Sequence, residues 1–599
     1  MSPKRLLLAT CLGAALASFS LSSQACFTII VGKDASSTGE ILVGHNEDND
    51  RRIITSQYWV PAAKHKKGET LYYEPGTAKI PQVAQTLGYW WSQTLAPDGY
   101  SFSDGFINEK GVLVVSNNCG DTYEKDEKVK NGGVGYGIRR IVAERAHTAR
   151  EAVQIAIDLV TRYGYTHQGR TYTFADRNEA WQVALLRGHR YLARRVGDNE
   201  MTFLANAYLF DNVDLNDKEN VIASPDLVQH AIKMGTYKPA KAGDYSDFNF
   251  REAYQPDRRR AADWNMERVA TFLEMMTGKE SRDYNNFPFV LTPSKKISEA
   301  DLRKFLRGQS KWEERNHGFH LYSLRDIGNL DTYDSVVFRL NKDPLLTTTW
   351  RTNGRPFENA YVPAFPLAAP ALAQSFMSPE EGLYAQFRSK PKHLHYSPDR
   401  NVYTFIATQS FLDWMPDERE DFQNDIEDYE KAMTKELDKV LVRAKTVAAV
   451  DRARAKDVLH TYNVLSYNEI LGLNSAWLKK LNQRDMIIMK DSLSQKDTGN
   501  VDVVLFGQKG FNVKKIDAQW TSFGSAYSNA DDEQNLERTK PSKITFKDLN
   551  GDGFEDAVMT FPVKGATAYT FPGVNTELFL FTRVDGEPVV AFDTVMIKK

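Results

Sequence analysis

The chain has few cysteines, no long uncharged hydrophobic run beyond its N-terminal region, and no excess of charge of one sign. Three cysteines among 599 residues cannot hold a fold of this length together by disulfide bonds. No later segment reaches the roughly 20 apolar residues that a membrane-spanning helix needs, so we expect no transmembrane anchor. The 76 lysines and arginines balance 78 aspartates and glutamates, which gives no reason to expect nucleic acid as a partner. The remaining composition, with 42% hydrophobic residues, is typical of a folded protein with one or more domains.

The first 25 residues have the pattern of a secretory signal peptide. Two basic residues precede an apolar run over residues 6–21, and the segment ends in small residues before Cys26. Cleavage after Ala25 would remove Cys11 and make Cys26 the first residue of the mature chain. We therefore expect an exported protein, periplasmic or extracellular.

A cysteine at the N-terminus of a chain can act as nucleophile and base in one residue. Its α-amino group, with a pKa of about 7.7–8.0, can take the proton of a thiol whose pKa is about 8.5. The thiolate would attack an amide carbonyl, form a thioester and release an amine, and water would then clear the acyl group. Cys26 is thus the candidate nucleophile of an amide-bond hydrolase that needs no catalytic cofactor.

The order of predicted elements indicates an α+β protein with a separate C-terminal part. Residues 26–48 have the pattern of a hairpin, residues 138–160 have helical spacing, and short strands follow up to residue 206. Two long helices are predicted over residues 417–450 and 451–480. We expect a catalytic domain over residues 26–485 that includes this helical region, and a β-sandwich-like accessory domain over residues 497–599.

Several segments in this order resemble the cysteine dipeptidases of the N-terminal-nucleophile hydrolase superfamily, peptidase family C69. The matching segments are CFTIIVGK (26–33), GHNED (44–48), NEKG (108–111) before SNN (116–118), FADRNEAW (174–181), LAN (204–206), DSVVFRL (334–340), WRTNGRP (350–356) and YVP (361–363). The resemblance implies a four-layered αββα fold with Cys26 at the head of a central strand. It also implies hydrolysis of dipeptides or short peptides.

The resemblance further implies roles for individual residues. Asp48 would orient the Cys26 amine, while Asn118 and Asn206 would donate hydrogen bonds to the oxyanion and the amine. Each residue taken alone has a plainer interpretation, because asparagine and aspartate also close turns and cap loops.

The basic residues of the site are harder to assign. Related penicillin V acylases and bile salt hydrolases have an arginine where this chain has His45, and histidine cannot make the same fork of hydrogen bonds. The arginine that lies near the thiol in those acylases corresponds to Arg260 or Arg251. These three residues are the candidate substrate-binding residues.

Cys119 directly follows the proposed oxyanion asparagine. It could form a disulfide with Cys26 that silences the nucleophile, or it could be a small buried hydrophobic residue. The second interpretation is favoured.

The C-terminal part contains a candidate calcium loop. The segment DLNGDGFED (548–556) presents oxygen ligands at positions 1, 3, 5 and 9, from Asp548, Asn550, Asp552 and Asp556. A solvated turn is the alternative interpretation. Calcium at this loop would have a structural role.

Two other functions remain open at this stage. An acylase that cleaves N-acyl amides would use the same nucleophile and oxyanion donors. A lipoprotein or surface-binding protein would instead carry a lipid on Cys26, but the residue three positions before it is Ser23 rather than an aliphatic residue. The sequence does not predict an oligomeric state.

Overall fold

Two large antiparallel sheets form the centre of the protein. The structure is a computed structural model that describes residues 26–48, 54–71, 73–74, 76–95, 103–124, 127–310, 326–329, 332–368, 419–480, 483–525, 539–568, 570 and 575–598. The first sheet has the strand order β14 (Val290–Leu291), β12 (Met201–Leu204), β1 (Phe27–Val31), β2 (Ile41–Asp48), β15 (Thr332–Leu340), β16 (Thr348–Asn353) and β17 (Val362–Ala364). The second has the order β13 (Val221–Ala223), β11 (Tyr191–Val196), β10 (Ala180–Gly188), β9 (Tyr165–Ala175), β8 (Leu113–Asn118), β7 (Ser103–Asn108), β6 (Tyr89–Leu95) and β3 (Ile54–Val60). Strands β4 (Thr70–Leu71) and β5 (Ile80–Pro81) form a separate pair.

The side chains of β1 show how the sheets are layered. Phe27 and Ile29 lie in the apolar cluster that also holds helix residues, whereas Ile30 lies in the cluster shared with the second sheet. This alternation follows from the two-residue period of a strand. Both faces of β1 are therefore covered, which explains why the whole strand is apolar and buried.

Helices cover the outer face of each sheet. The helices of the described residues up to 310 are α1 (Ile138–Arg145), α2 (Ala149–Tyr163), α3 (Leu227–Met234), α4 (Phe250–Tyr254), α5 (Asp257–Arg260), α6 (Asp263–Thr277) and α7 (Glu299–Leu306). Helices α6 and α7 share a cluster with the outer face of the first sheet, and α1 and α2 share one with the outer face of the second. The resulting order of layers is helix, sheet, sheet, helix, so the expected four-layered αββα fold is confirmed.

The predicted helical region 138–160 consists of two helices. Thr148 separates them, because its extended backbone ends the first and its side chain accepts a hydrogen bond from the Glu151 N–H at the start of the second. Helix α2 ends at Gly164, whose φ of 79° an L-residue rarely adopts.

The two long helices are present as α8 (Arg419–Ala448) and α9 (Arg452–Lys480). The buried carboxylate of Glu430 on α8 anchors this pair to the catalytic layers. It accepts hydrogen bonds from Arg307 at 2.6 Å, from Arg303 at 3.1 Å and from the backbone N–H of Tyr361 at 2.8 Å. The helical region therefore packs on the catalytic domain.

A third sheet forms the C-terminal part. Its strands are β18 (Gln483–Ile488), β19 (Ser492–Ser494), β20 (Asn500–Leu505), β21 (Ser522–Ser525), β22 (Lys543–Lys547), β23 (Asp556–Pro562), β24 (Asn575–Val584) and β25 (Glu587–Lys598), with a short helix α10 (Val563–Ala566). Phe523 and Phe561, on strands far apart in the sheet order, have ring centroids 5.0 Å apart, so the sheet folds over one core. The expected boundaries at 485 and 497 need a correction, because β18 already pairs with β20 and β25.

No described helix is long and apolar enough to cross a membrane. Residues 1–25, for which a signal peptide is predicted, lie outside the described residues.

Candidate active site

Cys26 lies at the head of β1, between the ends of two neighbouring strands. Antiparallel pairing sets Phe27 opposite Asn46 of β2, and Thr28 opposite Leu204 of β12. The residues that follow these partners, up to Asp48 on one side and Asn206 on the other, are therefore carried to the Cys26 end of β1. The sheet register thus brings three of the predicted site residues to one place.

Arg268 on α6 connects these residues. Its guanidinium donates to the Cys26 carbonyl oxygen at 3.0 Å, to Asn206 Oδ1 at 2.9 Å and to Asn265 Oδ1 at 2.8 Å. Burial lowers the pKa of Arg268 to about 10, and the nearby acidic groups of Asp48 and Cys26 oppose this shift. The group therefore remains a cation at neutral pH, buried beside the candidate nucleophile.

Asp48 is the buried carboxyl group of the cluster. Its carboxylate accepts hydrogen bonds from Asn329 Nδ2 at 2.8 Å and from the Thr332 hydroxyl at 2.5 Å. Burial raises the pKa of Asp48 to about 7, while Arg268 and these two hydrogen bonds act in the opposite direction. Asp48 therefore titrates close to neutrality.

The two predicted oxyanion asparagines contact each other. Asn206 Nδ2 donates to the Asn118 carbonyl oxygen at 3.0 Å, and Asn118 Oδ1 accepts from the Gly120 N–H at 2.9 Å. A side-chain amide carries two N–H donors. Among the described residues, none accepts from Nδ2 of Asn118, and one N–H of Asn206 has no acceptor, so both side chains keep a donor for a ligand.

The structure brings Arg259, rather than Arg260 or Arg251, to these asparagines. Arg259 Nε donates to the Asn206 carbonyl oxygen at 2.8 Å, and its Nη2 lies 3.4 Å from the Asn118 carbonyl oxygen. Arg260 is instead paired with Asp257 at 2.6 Å, and buried Arg251 donates to backbone carbonyls, including that of Tyr284 at 3.2 Å.

The sequence contains weak signals for Arg259 and Arg268, the two basic residues that the structure places at the site. Arg258, Arg259 and Arg260 are consecutive on α5, and successive helix residues point about 100° apart, so only the fold decides which one faces the site. Asn265 and Arg268 are polar residues one turn apart at buried positions of α6. A buried polar pair on a core helix indicates a site more strongly than a surface arginine does.

His45 is enclosed in a polar network between the two sheets. Its Nδ1 lies 2.8 Å from the Thr28 hydroxyl and its Nε2 lies 3.0 Å from Glu47 Oε2. Thr28 donates its single hydrogen to Asn117 Oδ1 at 2.6 Å, so His45 Nδ1 must carry a proton. Because both ring nitrogens are bonded to protein groups, the structure does not present His45 as a substrate ligand.

Cys119 is a buried free thiol. Its sulfur lies 3.4 Å from the Thr171 hydroxyl. Burial raises the pKa of Cys119 to about 11, against the effects of this hydroxyl and of Arg259. A thiol that stays protonated reacts slowly in disulfide exchange, which favours the buried hydrophobic role over the redox lock.

The candidate calcium loop is closed by its own hydrogen bonds. Asp548 accepts from the N–H groups of Gly551 at 2.7 Å and Gly553 at 2.9 Å, and buried Asp556 accepts from Leu549 at 2.8 Å and from Gly507 at 2.9 Å. In the described part of the chain, no group of three or more His, Cys, Asp or Glu side chains is arranged to hold a metal ion. The oxygen-only set that includes Asn550 and Asp552 suits calcium chemically, but its carboxylates do not converge here.

Calcium binding by this loop stays a prediction, with a direct test. If the folded protein binds calcium, the melting temperature of the full chain should be higher in calcium than in chelator, because a ligand of the folded state stabilises it. The variant Asp552→Ala should remove this difference. Equal melting temperatures of the wild type under both conditions would limit the carboxylates to their role as loop caps.

Comparisons with known proteins support the resemblance to peptidase family C69. The model of peptidase family C69 matches residues 25–330, about half of the 599 residues. A probable dipeptidase of Latilactobacillus sakei is 27% identical over 361 residues, which cover 57% of this chain and 74% of that protein. A probable dipeptidase B of Streptococcus pyogenes is 27% identical over 380 residues, which cover 58% of this chain and 74% of that protein.

The solved structures that match are more distant. A mutant of conjugated bile acid hydrolase from Clostridium perfringens is 12% identical, with a TM-score of 0.28, over 57% of this chain and 92% of that one. A TM-score this low supports no inference about this protein. The family match over half of the chain, which includes Cys26 and the residues gathered around it, is the decisive finding. The chain therefore belongs to peptidase family C69.

Proposed function

We propose that the protein is a cysteine dipeptidase whose nucleophile is the thiol of Cys26, placed at the N-terminus by removal of residues 1–25. The observation that carries this proposal is a buried network that starts at Cys26: the Arg268 cation joins Cys26 to Asn206, and the side chain of Asn206 in turn bonds to the backbone of Asn118. Arg268 bonds directly to Cys26 and to Asn206, and it is in electrostatic contact with Asp48. Such a cluster is costly to bury and is typical of a functional site.

The chemistry follows from the N-terminal position of the cysteine. The free α-amine takes the thiol proton, and the thiolate attacks the carbonyl carbon of the scissile amide. Negative charge then develops on the carbonyl oxygen, where the unused N–H donors of Asn118 and Asn206 can stabilise it. The protonated amine gives its proton to the leaving nitrogen, the amide C–N bond breaks, and a thioester remains. Water, activated by the same amine, hydrolyses the thioester and restores the thiol.

Arg268 and Asp48 complete this mechanism without reacting. The guanidinium holds the Cys26 backbone and Asn206 in fixed relative positions, and its charge favours the thiolate. Asp48 opposes the charge of Arg268 and, as the resemblance implies, orients the α-ammonium group. Both residues position the reacting groups.

We further propose that the protein is exported and that export activates it. A cysteine inside the precursor has an amide nitrogen in place of the amine, and an amide cannot accept the thiol proton. Removal of the signal would then generate the base and the nucleophile together. The predicted location is the periplasm or the extracellular space.

A substrate panel combined with the N-terminus of the purified protein tests this function. We expect an intact mass that begins at Cys26 with a free amine, and faster hydrolysis of dipeptides than of N-acyl amino acids. The relatives named probable dipeptidase support this preference. Faster hydrolysis of N-acyl amino acids would show an acylase, and a lipid adduct on Cys26 would exclude the mechanism because acylation removes the base.

A further inference from the structure

We infer that Arg259 is a substrate-binding residue that recognises the free carboxylate of the leaving amino acid, next to the scissile nitrogen. This inference rests on the proposed function, because it assigns a ligand to the site around Cys26. It defines the substrate class as amides whose leaving group is an amino acid with a free carboxylate. Dipeptides and N-acyl amino acids both belong to this class, whereas peptide amides do not.

The guanidinium of Arg259 is held in a fixed position. Its Nε donates to the Asn206 carbonyl oxygen at 2.8 Å, and its Nη2 lies 3.4 Å from the Asn118 carbonyl oxygen. Its central carbon lies 5.0 Å from the centroid of the Trp264 ring, and that of Arg268 lies 5.6 Å from the same ring. An arginine that is already ordered loses little conformational entropy when it binds a ligand.

One edge of this guanidinium is unused. No described residue accepts a hydrogen bond from Nη1 of Arg259, and the side chain is partly exposed, unlike the fully buried Arg268. A guanidinium presents its N–H groups in a planar fork that matches the two oxygens of a carboxylate. Arg259 therefore has the free donors and the access that a carboxylate ligand requires.

The position of this edge matches the geometry of the substrate class. Arg259 bonds to the backbone of Asn118 and Asn206, the two residues whose side chains keep free donors for the oxyanion. In an α-amino acid leaving group, standard bond lengths place the carboxylate carbon only about 3–4 Å from the scissile carbonyl carbon. A substrate whose carbonyl oxygen meets the two asparagines thus carries its carboxylate to their immediate surroundings, where Arg259 lies.

The neighbouring charges favour an anion here. Arg258 is neutralised by Asp121 at 2.6 Å, and Arg268 is balanced by Asp48, but Arg259 has no ion pair among the described residues. Burial lowers the pKa of Arg259 from its usual value, against the effect of nearby acidic groups, and the group remains a cation at neutral pH. The site therefore carries one positive charge that a substrate carboxylate would compensate.

Paired substrates separate this role from a general catalytic one. The experiment compares a dipeptide with the same dipeptide bearing a C-terminal carboxamide, and an N-acyl amino acid with its carboxamide. For Arg259→Gln we expect kcat/KM to fall about 100-fold on the free acids and less than threefold on the carboxamides, because only the acids lose a charged hydrogen-bonded pair. Arg259→Lys keeps the charge but not the planar pair of N–H donors, so its kcat/KM should fall about tenfold on the free acids and stay unchanged on the carboxamides.

Arg258→Gln is the matched control, since it removes the adjacent arginine from its surface pair with Asp121. It should not change the ratio of kcat/KM on the free acid to kcat/KM on the carboxamide for either pair of substrates. Equal losses on acids and carboxamides would overturn the inference and assign Arg259 to the oxyanion or to the scaffold. Unchanged activity of Arg259→Gln on all four substrates would overturn it as well. A wild type that hydrolyses only N-acyl amino acids would reject the dipeptidase proposal alone, because the ratio of acid to carboxamide would still report on Arg259.

Discussion

Replacing Cys26 with alanine is expected to abolish amide hydrolysis, with kcat reduced on the order of 10⁴-fold or more, the scale seen when a covalent nucleophile is removed. The physical reason is that no other group of the cluster can form the acyl intermediate. Cys26→Ser should also be strongly impaired, because a hydroxyl is far less acidic and a weaker nucleophile than the thiol for which this site is arranged. The measurement is steady-state hydrolysis of a dipeptide by the mature protein.

Two controls define what this result means. Cys119→Ala should keep activity within about threefold, because the Cys119 thiol is buried, protonated at neutral pH and outside the proposed mechanism. A mature chain with one extra glycine before Cys26 keeps the thiol but moves the amine, and it should be as inactive as Cys26→Ala. Full activity of this extended chain would exclude the α-amine as the base, and full activity of Cys26→Ala would exclude the mechanism.

Replacing Arg268 with glutamine is expected to lower both activity and stability. The change removes the donor that joins Cys26 to Asn206, so kcat/KM should fall about 10²–10³-fold, the range for a lost electrostatic contribution at a reacting centre. It also leaves the buried carboxylate of Asp48 without its cation, so at pH 8, where Asp48 is mostly ionised in the wild type, the free energy of unfolding should fall by about 1–2 kcal/mol, since one pKa unit corresponds to about 1.4 kcal/mol. Dipeptide kinetics and urea unfolding measure the two effects.

The double variant Arg268→Gln, Asp48→Asn separates charge from geometry. Removing both charges should recover much of the lost stability, because no unpaired ion stays buried. Activity should stay low, since the contacts to Cys26 and Asn206 are still missing. Additive losses of stability in the double variant would show that Asp48 and Arg268 do not interact.

The stability effect should also depend on pH. Burial raises the pKa of Asp48 from 3.8 to about 7, so the neutral carboxyl stabilises the folded state fully below pH 3.8, and this contribution is lost as the pH rises through about 7. Without Arg268, the charged Asp48 carboxylate destabilises the folded state more strongly. The difference in melting temperature between wild type and Arg268→Gln should therefore be larger at pH 8 than at pH 5. A difference that does not change with pH would exclude Asp48 as its source.

Local features were predictable from the sequence because they depend on neighbours in the chain. The apolar hairpin at residues 26–48 and the charged, striped segments that became α8 and α9 follow from hydrophobic periodicity alone. Hydrophobic periodicity does not predict the break between α1 and α2, although Thr148 is a good N-cap residue, because the apolar spacing continues on both sides of it. The start of the C-terminal sheet at Gln483 is not predictable either, because the amino-acid composition does not change where the long helix ends and the strand begins.

The features of the candidate site also fall into those that the sequence determines and those that depend on the tertiary structure. The sequence by itself determined the identity of the candidate nucleophile and the residue types around it, because the signal peptide pattern and the order of motifs are properties of the chain. Only the tertiary structure decided that Arg259 and Arg268 lie at the site while His45 is enclosed between the sheets, and that Asn329 and Thr332 bind Asp48. These contacts join residues up to 284 positions apart. Sheet register and helix rotation set them, and a shift of one residue in either would turn each side chain to another face.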